Sequence, residues 1–240
     1  DEKGTYNGTP MGGIQHGNGK VGTGAAFNGI SNYYTIPLIS IKDTTYSISF
    51  WAKPESNTYL GNESSVGVDC YNNKLSNRII FMPNDQYGNV NGPKTGLGIS
   101  VGQNGITLCE HVNGFMPYNL VYASNLSGWN YITVVNNLNT ISLYINGTYI
   151  KNARNTGKIR EFAATNINLP ASDPWGKFLG NLDEIEIYNT ALSSEKILLN
   201  YIKGSALYGE YNSFIKDSAG LQGVNWENLS SAPTFPYGKE

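Results

Sequence analysis

WNYITVVNNLNTISLYINGTYI, residues 129–150, contains two strands and the turn that joins a third. In WNYITVV (129–135) apolar residues fall on both sides of the chain, the mark of a strand covered on both faces. ISLYI (141–145) alternates instead, sending Ile141, Leu143 and Ile145 to one side. Asn146 and Gly147 then form a pair suited to a two-residue type I′ hairpin turn, because both positions of that turn need positive φ. TYI (148–150) returns from it.

The same period-two pattern spreads outward in both directions. In TYSISFWA (45–52), Tyr46, Ile48 and Phe50 share one face, and Thr45, Ser47, Ser49 and Trp51 the other. Further strands are expected in GAAF and YYTI near the start and in RIIFM (78–82), LGISV (97–101), ITLCEHV (106–112) and LDEIEIY (182–188). Long loops rich in Asn, Gly and Pro separate some of them, notably 82–96 and 168–178, and loops of that length commonly carry binding. One helix is expected over 193–204: Ser193 caps it, Glu195 suits its positive end, Ile197, Leu198, Tyr201 and Ile202 give it an apolar face, and Gly204 stops it. The economical architecture is all-β, an antiparallel sandwich of two sheets with one short C-terminal helix against its edge.

Composition narrows the function. The 240 residues carry 16 Lys and Arg against 18 Asp and Glu, a net charge of −2, so no basic field draws in a phosphate backbone and nucleic acid is excluded as a partner. No run reaches the roughly 18 to 20 apolar residues that span a bilayer, so direct membrane insertion is not expected. The two cysteines, Cys70 and Cys109, could close one long loop, which fits an oxidising compartment. His16 and His111 stand apart from any serine or cysteine motif, so a catalytic triad is not expected. GNGKVGTG (17–24) lacks the Lys-Ser/Thr pair and the following helix of a phosphate loop.

Three segments together resemble the laminin G-like, concanavalin A-like jelly roll in its bacterial, pentraxin-related branch. They are GKVGTGAAFNGISNYYTIP (19–37), YSISFWAKPE (46–55), and the run from 129–150 to GNLDEIEIYNTALSSEKI (180–197). The resemblance implies a jelly-roll domain over residues 1–203 and a C-terminal extension over 204–240. It implies that Asp183 of the closing strand is structural, and that Trp51 and Trp129 are packed in the sandwich. It also implies a secreted or cell-surface setting and calcium as the metal to consider, since a hard cation takes six to eight oxygen ligands. Asp85 with Asn84, Asn89 and Asn91, Asp69 with Asn72 and Asn73, or Asp173 would supply some of them; solvated turn residues are the alternative.

Hydrolases of the laminarinase type share this general fold and carry Glu-x-Asp-x-x-Glu. Here Asp183 and Glu186 match its second half, but Asn181 stands in place of the first glutamate, and an amide cannot be a carboxylate nucleophile. Along a regular strand Asp183, Ile185 and Ile187 would share one face and Glu184, Glu186 and Tyr188 the other, so Asp183 and Glu186 would not flank one bond. The expected function is therefore a non-enzymatic recognition module for a glycan or surface protein, its loops at one rim supplying an aromatic platform and planar polar groups. Trp175 is the expected platform, with Asp173, Tyr87, Asn84 and Asp85 around it. The alternative is a structural subunit of a filament, sheath or fibre. LYGEYNSFIKDSAGLQG (207–223) resembles the family's opening strand, which the chain's start lacks, so the tail would act as an extra or donated strand in self-assembly, or mark a boundary within a longer surface protein.

Overall fold

A computed structural model describes residues 6–82 and 91–205. Asn84, Asp85, Tyr87, Asn89 and the 206–240 tail lie outside the described residues, and with them part of the expected ligand set and the donated-strand idea.

Among the described residues fourteen strands follow one another: β1 Thr9–Met11, β2 Gln15–Asn18, β3 Thr23–Asn28, β4 Tyr33–Ile41, β5 Thr45–Pro54, β6 Ile79–Phe81, β7 Lys94–Gly102, β8 Gly105–His111, β9 Tyr118–Ala123, β10 Asn130–Asn137, β11 Thr140–Ile145, β12 Thr148–Asn152, β13 Ile159–Ile167 and β14 Leu179–Tyr188. Helix α1, Asp69–Asn72, interrupts the β5–β6 connection, and α2, Ser194–Ser205, follows β14. One sheet runs β1-β4-β13-β7-β8-β9, with β6 paired to β7; the other runs β12-β11-β10-β5-β14-β3-β2. The pairing is antiparallel except between β13 and β7, which run parallel over Ile159–Glu161 and Lys94–Gly96. Farther along, β6 takes the place beside β7, pairing Ile79 with Ser100 and Phe81 with Ile99.

The core lies between the sheets. Tyr46, Ile48 and Phe50 of β5, Ile132 and Val134 of β10, and Ile141, Leu143 and Ile145 of β11 meet Leu97, Ile99, Ile106, Leu108 and Phe162 from the opposite sheet. The alternation read from β5 and β11 is the one observed. The β11–β12 turn also forms as read, with Asn146 at φ 51° and Gly147 at φ 78°. The Asn146 side chain accepts from Tyr131 N at 2.9 Å and donates to Asn130 Oδ1 at 3.1 Å, tying the turn to β10.

Within the sandwich, Arg160 of β13 pairs with Glu110 of β8, both about fully buried at 1% and 0% side-chain exposure. Burying two charges is tolerable only when their remaining donors and acceptors are met. Asn119 Nδ2 and Thr156 Oγ1 donate to Glu110 at 2.8 and 2.6 Å, while Arg160 Nη2 donates to Arg154 O at 2.9 Å. The pair thereby fixes the β12–β13 connection.

Four expectations change. Strands β1, β2, β9 and β13 form where no strand was expected, and β7 begins at Lys94, inside a stretch read as loop. Helix α2 lies over the outer face of the second sheet and not at its edge: Ile197 and Tyr201 pack with Trp51 of β5 and Tyr131 and Val135 of β10, both central strands. Trp51 is therefore buried beneath the helix instead of between the sheets, and Trp129 is partly buried in the same cluster. Gly204 does not stop α2 but lies inside it, where a Cβ would come within 2.6 Å of Trp51 Nε1; glycine lets the last turn approach the indole.

The fourth correction concerns the acids. Asp183 pairs with Trp51 and Glu186 with Ser49, so three steps on β14 match two on β5, and Glu184 sits at φ 45°. This β-bulge shifts the alternation, placing Asp183 and Glu186 on the same outer face. The regular-strand pattern, with Asp183 beside Ile185 and Ile187, does not hold.

Candidate functional site

The bulge does not make an acid pair of Asp183 and Glu186. Asp183 is 7% exposed, and its carboxylate accepts from Val21 N at 2.8 Å and Glu184 N at 2.9 Å. A Cβ on Gly19 would fall 2.3 Å from Oδ2, so the glycine-rich 17–24 stretch is shaped to fold over this carboxylate. Burial raises the Asp183 pKa above its ordinary value, partly offset by these backbone donors. Glu186 accepts from Ser49 Oγ at 3.4 Å. Asp183 thus braces the β2–β3 turn from beneath, a structural role, with both oxygens committed to main chain.

The opposite outer face is built differently. Alternation sends Leu108 and Glu110 of β8 inward and Cys109 and His111 outward, so a second apolar cluster forms outside the sandwich: Cys70, Ile79, Cys109, Met116, Tyr118, Leu169 and Trp175. The β5–β6 connection crosses this face and is tied down repeatedly. Cys70 is disulfide-bonded to Cys109. Cys70 N donates to Met116 O at 3.0 Å and Met116 N to Gly67 O at 2.7 Å. Asn77 accepts from the buried Tyr118 hydroxyl at 2.9 Å, and burial raises that phenol's pKa despite the bond.

A second loop, 168–178, is clamped by Asn168, whose amide donates to Asn32 O and accepts from Phe178 N at 2.9 and 3.0 Å. The two loops lace together: Gly176 N donates to Lys74 O at 2.8 Å, and a Cβ on Gly176 would meet Asn77 O at 2.1 Å. The β8–β9 turn, closed by reciprocal bonds between Val112 and Phe115, supplies the third wall.

Between these walls and the outward side of β13 lies a groove of about 1040 Å³. Tyr71 and Asn72 of α1 stand on one side, His111 and Asn113 on another, and Thr165 and Asn166 of β13 across from them. Tyr71 is 49% exposed and meets Trp175 edge-on, ring centroids 6.3 Å apart. Such a groove offers an accessible ring, amides and hydroxyls in one place, the set that pairs with a sugar's apolar face and its hydroxyls.

Of the expected site residues, Asp173 and Trp175 both line this groove. Trp175 is not its platform, because at 5% exposure it is packed against the disulfide cluster and has little ring left for a ligand. Asp173 Oδ1 accepts from Trp175 N at 2.9 Å and holds that loop's turn. Asp69 opens α1 near the groove and its carbonyl accepts from Asn73 Nδ2 at 2.9 Å; among the described residues no three His, Cys, Asp or Glu side chains gather as a metal site. Tyr71 was not expected as a site residue. The adjoining Cys70 was the available signal, since a cysteine bonded to a strand fixes whatever follows it.

A laminin G family model, described as the concanavalin A-like lectin/glucanases superfamily, matches residues 28–198. No curated protein sequence matches the chain. Among solved structures, domain 4 of AbnA, a GH43 extracellular arabinanase from Geobacillus stearothermophilus in complex with arabinotriose, is 20% identical, covering 82% of this chain and 90% of that one at a TM-score of 0.53. The receptor binding domain of the botulinum neurotoxin C/D mosaic serotype is 17% identical, with 84% and 47% covered and a TM-score of 0.58. The binding domain of Paraclostridial Mosquitocidal Protein 1 is 16% identical, with 82% and 47% covered and a TM-score of 0.55. The match thus spans about half the length of the toxin domains and most of the arabinanase domain. These identities establish a shared fold.

Proposed function

The chain belongs to the concanavalin A-like lectin/glucanases superfamily, and we propose that it is a non-enzymatic recognition module that holds a saccharide in the groove beside α1. The observation that carries this reading is the half-exposed Tyr71 ring, set among Asn72, Asn113, Asn166 and Thr165 by a disulfide that ties α1 to β8. Loops alone would leave those groups free to wander, and each would pay ordering entropy on binding. The laced and bonded loops hold them in advance.

A binding role fits the chemistry better than hydrolysis. Glycoside hydrolysis needs two carboxyl groups facing one bond across about 5 to 9.5 Å. Among the described residues Asp173 is the carboxylate lining the groove, and Asp183 and Glu186 belong to the other sheet. The module's setting is extracellular, since a structural disulfide persists in an oxidising compartment. Among the described residues no helix is long and apolar enough to cross a membrane. Calcium, if it contributes, would be drawn to loop oxygens near Asp69 or Asp173.

The test is an immobilised glycan panel probed with the chain and with Tyr71→Ala. Binding that drops at least about tenfold in the variant, at unchanged melting temperature, is expected from loss of a stacking ring. Equal binding by both proteins would move the site off this groove, and release of reducing ends from any panel member would overturn the non-enzymatic reading.

A further inference from the structure

Among the described residues, two of the aromatic rings that line the groove, Tyr71 and Phe115, have a lysine over them. Lys74 Nζ stands 3.9 Å from the Tyr71 ring centroid, and Lys158 Nζ stands 5.3 Å from that of Phe115. Lys177 Nζ donates to Trp175 O at 2.9 Å and Asp173 O at 2.8 Å. Against these cations the lining offers, among the described residues, one carboxylate, Asp173, already accepting from Trp175 N.

The chain as a whole is slightly acidic, with 16 basic against 18 acidic residues. Elsewhere Lys94 is matched with Glu161 at 2.5 Å and Lys151 with Glu63, while Lys20 stands 5.3 Å from the Trp51 ring centroid on the other sheet. Among the described residues no carboxylate lies within ion-pair distance of Lys74 or Lys177. A lysine over a ring gains a modest cation–π attraction while keeping its full charge for a further partner. In a concave site walled by low-dielectric side chains, several such charges act together on an entering anion.

Resting on the saccharide-binding reading above, we infer that the groove selects a carboxylated saccharide, its ring against Tyr71 and its carboxylate toward the Lys74 ammonium. A neutral sugar would use the ring and amides but leave the Lys74 charge unanswered. A sugar acid answers both at once, since its carboxylate projects from the edge of the ring that stacks. Lys177 adds to the positive background beside the groove, and Lys74 is the point contact.

The experiment is calorimetric titration of the full chain with matched pairs: polygalacturonate oligomers and their methyl esters, hyaluronan oligomers and their carboxyl-reduced forms, sialyllactose and lactose. In at least one pair the charged member is expected to bind about fivefold to tenfold tighter, the gap closing as salt is raised from about 50 to 300 mM. Lys74→Gln should bring the charged member down to the neutral one's affinity, and Lys74→Arg should restore most of the difference. Neutral members binding as well as charged ones in every pair would overturn the inference and leave the saccharide reading intact. A preference undiminished in Lys74→Gln would also overturn it. Silence from all six ligands would sink the saccharide reading itself.

Discussion

The two outer faces of the sandwich are closed by opposite means. Over the second sheet, α2 lies on Trp51, Tyr131 and Val135, so that face is sealed by apolar contact and its acids are turned to structural use. Over the first sheet no long helix lies among the described residues. Loops cover it instead, held by one disulfide and a lattice of main-chain bonds, and between them the groove stays open. A face packed by a helix gains stability from buried area and presents little to a ligand. A face roofed by tethered loops spends covalent and hydrogen-bonded constraint to keep polar groups exposed yet fixed. Under the proposed function, recognition falls to the first face and stability to the second.

Breaking the tether should have the largest effect. The bond closes a separation of 39 residues, and the loop-entropy model assigns such a crosslink about 4 kcal/mol. Cys70→Ser with Cys109→Ser should lower the urea midpoint accordingly, and saccharide binding should fall more than the residual folded fraction explains. Binding that survives in the folded fraction would mean the loops hold the groove without it. On the helical face, Ile197→Ala removes a fully buried side chain and should cost about 3 kcal/mol while leaving groove binding intact. Loss of binding there would show the two faces to be coupled.

Asp183→Ala should cost about 2 kcal/mol at neutral pH, because the Val21 and Glu184 amides lose their acceptor. A pH signature accompanies it. Since the folded pKa of Asp183 is raised, the protonation-linked part of its contribution is fully present below the ordinary value of 3.8 and is lost as pH climbs through the raised one, the bonds to the two amides remaining. Wild-type stability measured by urea titration should therefore carry a downward slope in that window that Asp183→Ala lacks; identical slopes would contradict the buried-carboxylate account. Tyr71→Ala gives the smallest stability effect, within about 0.5 kcal/mol, because the ring is half in solvent. It sharpens the comparison, since a residue that barely matters to folding is expected to matter most to binding.

Much of this architecture is readable from periodicity. β5, β10 and β11 carry unbroken alternation or two-sided apolar runs, and Asn146-Gly147 names its own turn. The neighbouring hairpin turn does not, because Leu138 and Asn139 adopt φ of 49° and 66° and leucine gives no hint of it. β13 was hidden since Arg160 and Glu161 read as solvent-facing until Glu110 and Lys94 are brought beside them from distant strands. The bulge at Glu184 has no composition signal, yet it decides which face Asp183 occupies. In the candidate site, the 168–178 loop was legible from its Pro, Asp and Trp content. Which ring it exposes was not, since burial of Trp175 depends on a disulfide partner 66 residues earlier in the chain. Tyr71 becomes visible as a site residue only when that bond places it.

The most direct test of the contrast between faces is amide and side-chain chemical-shift mapping of the full chain, titrated with its tightest saccharide. The account predicts that the largest shifts fall on Tyr71, Asn72, Asn113, Thr165 and Asn166, with the Ile197, Tyr201 and Trp51 signals unmoved. Shifts concentrated on α2 and the strands beneath it would contradict it.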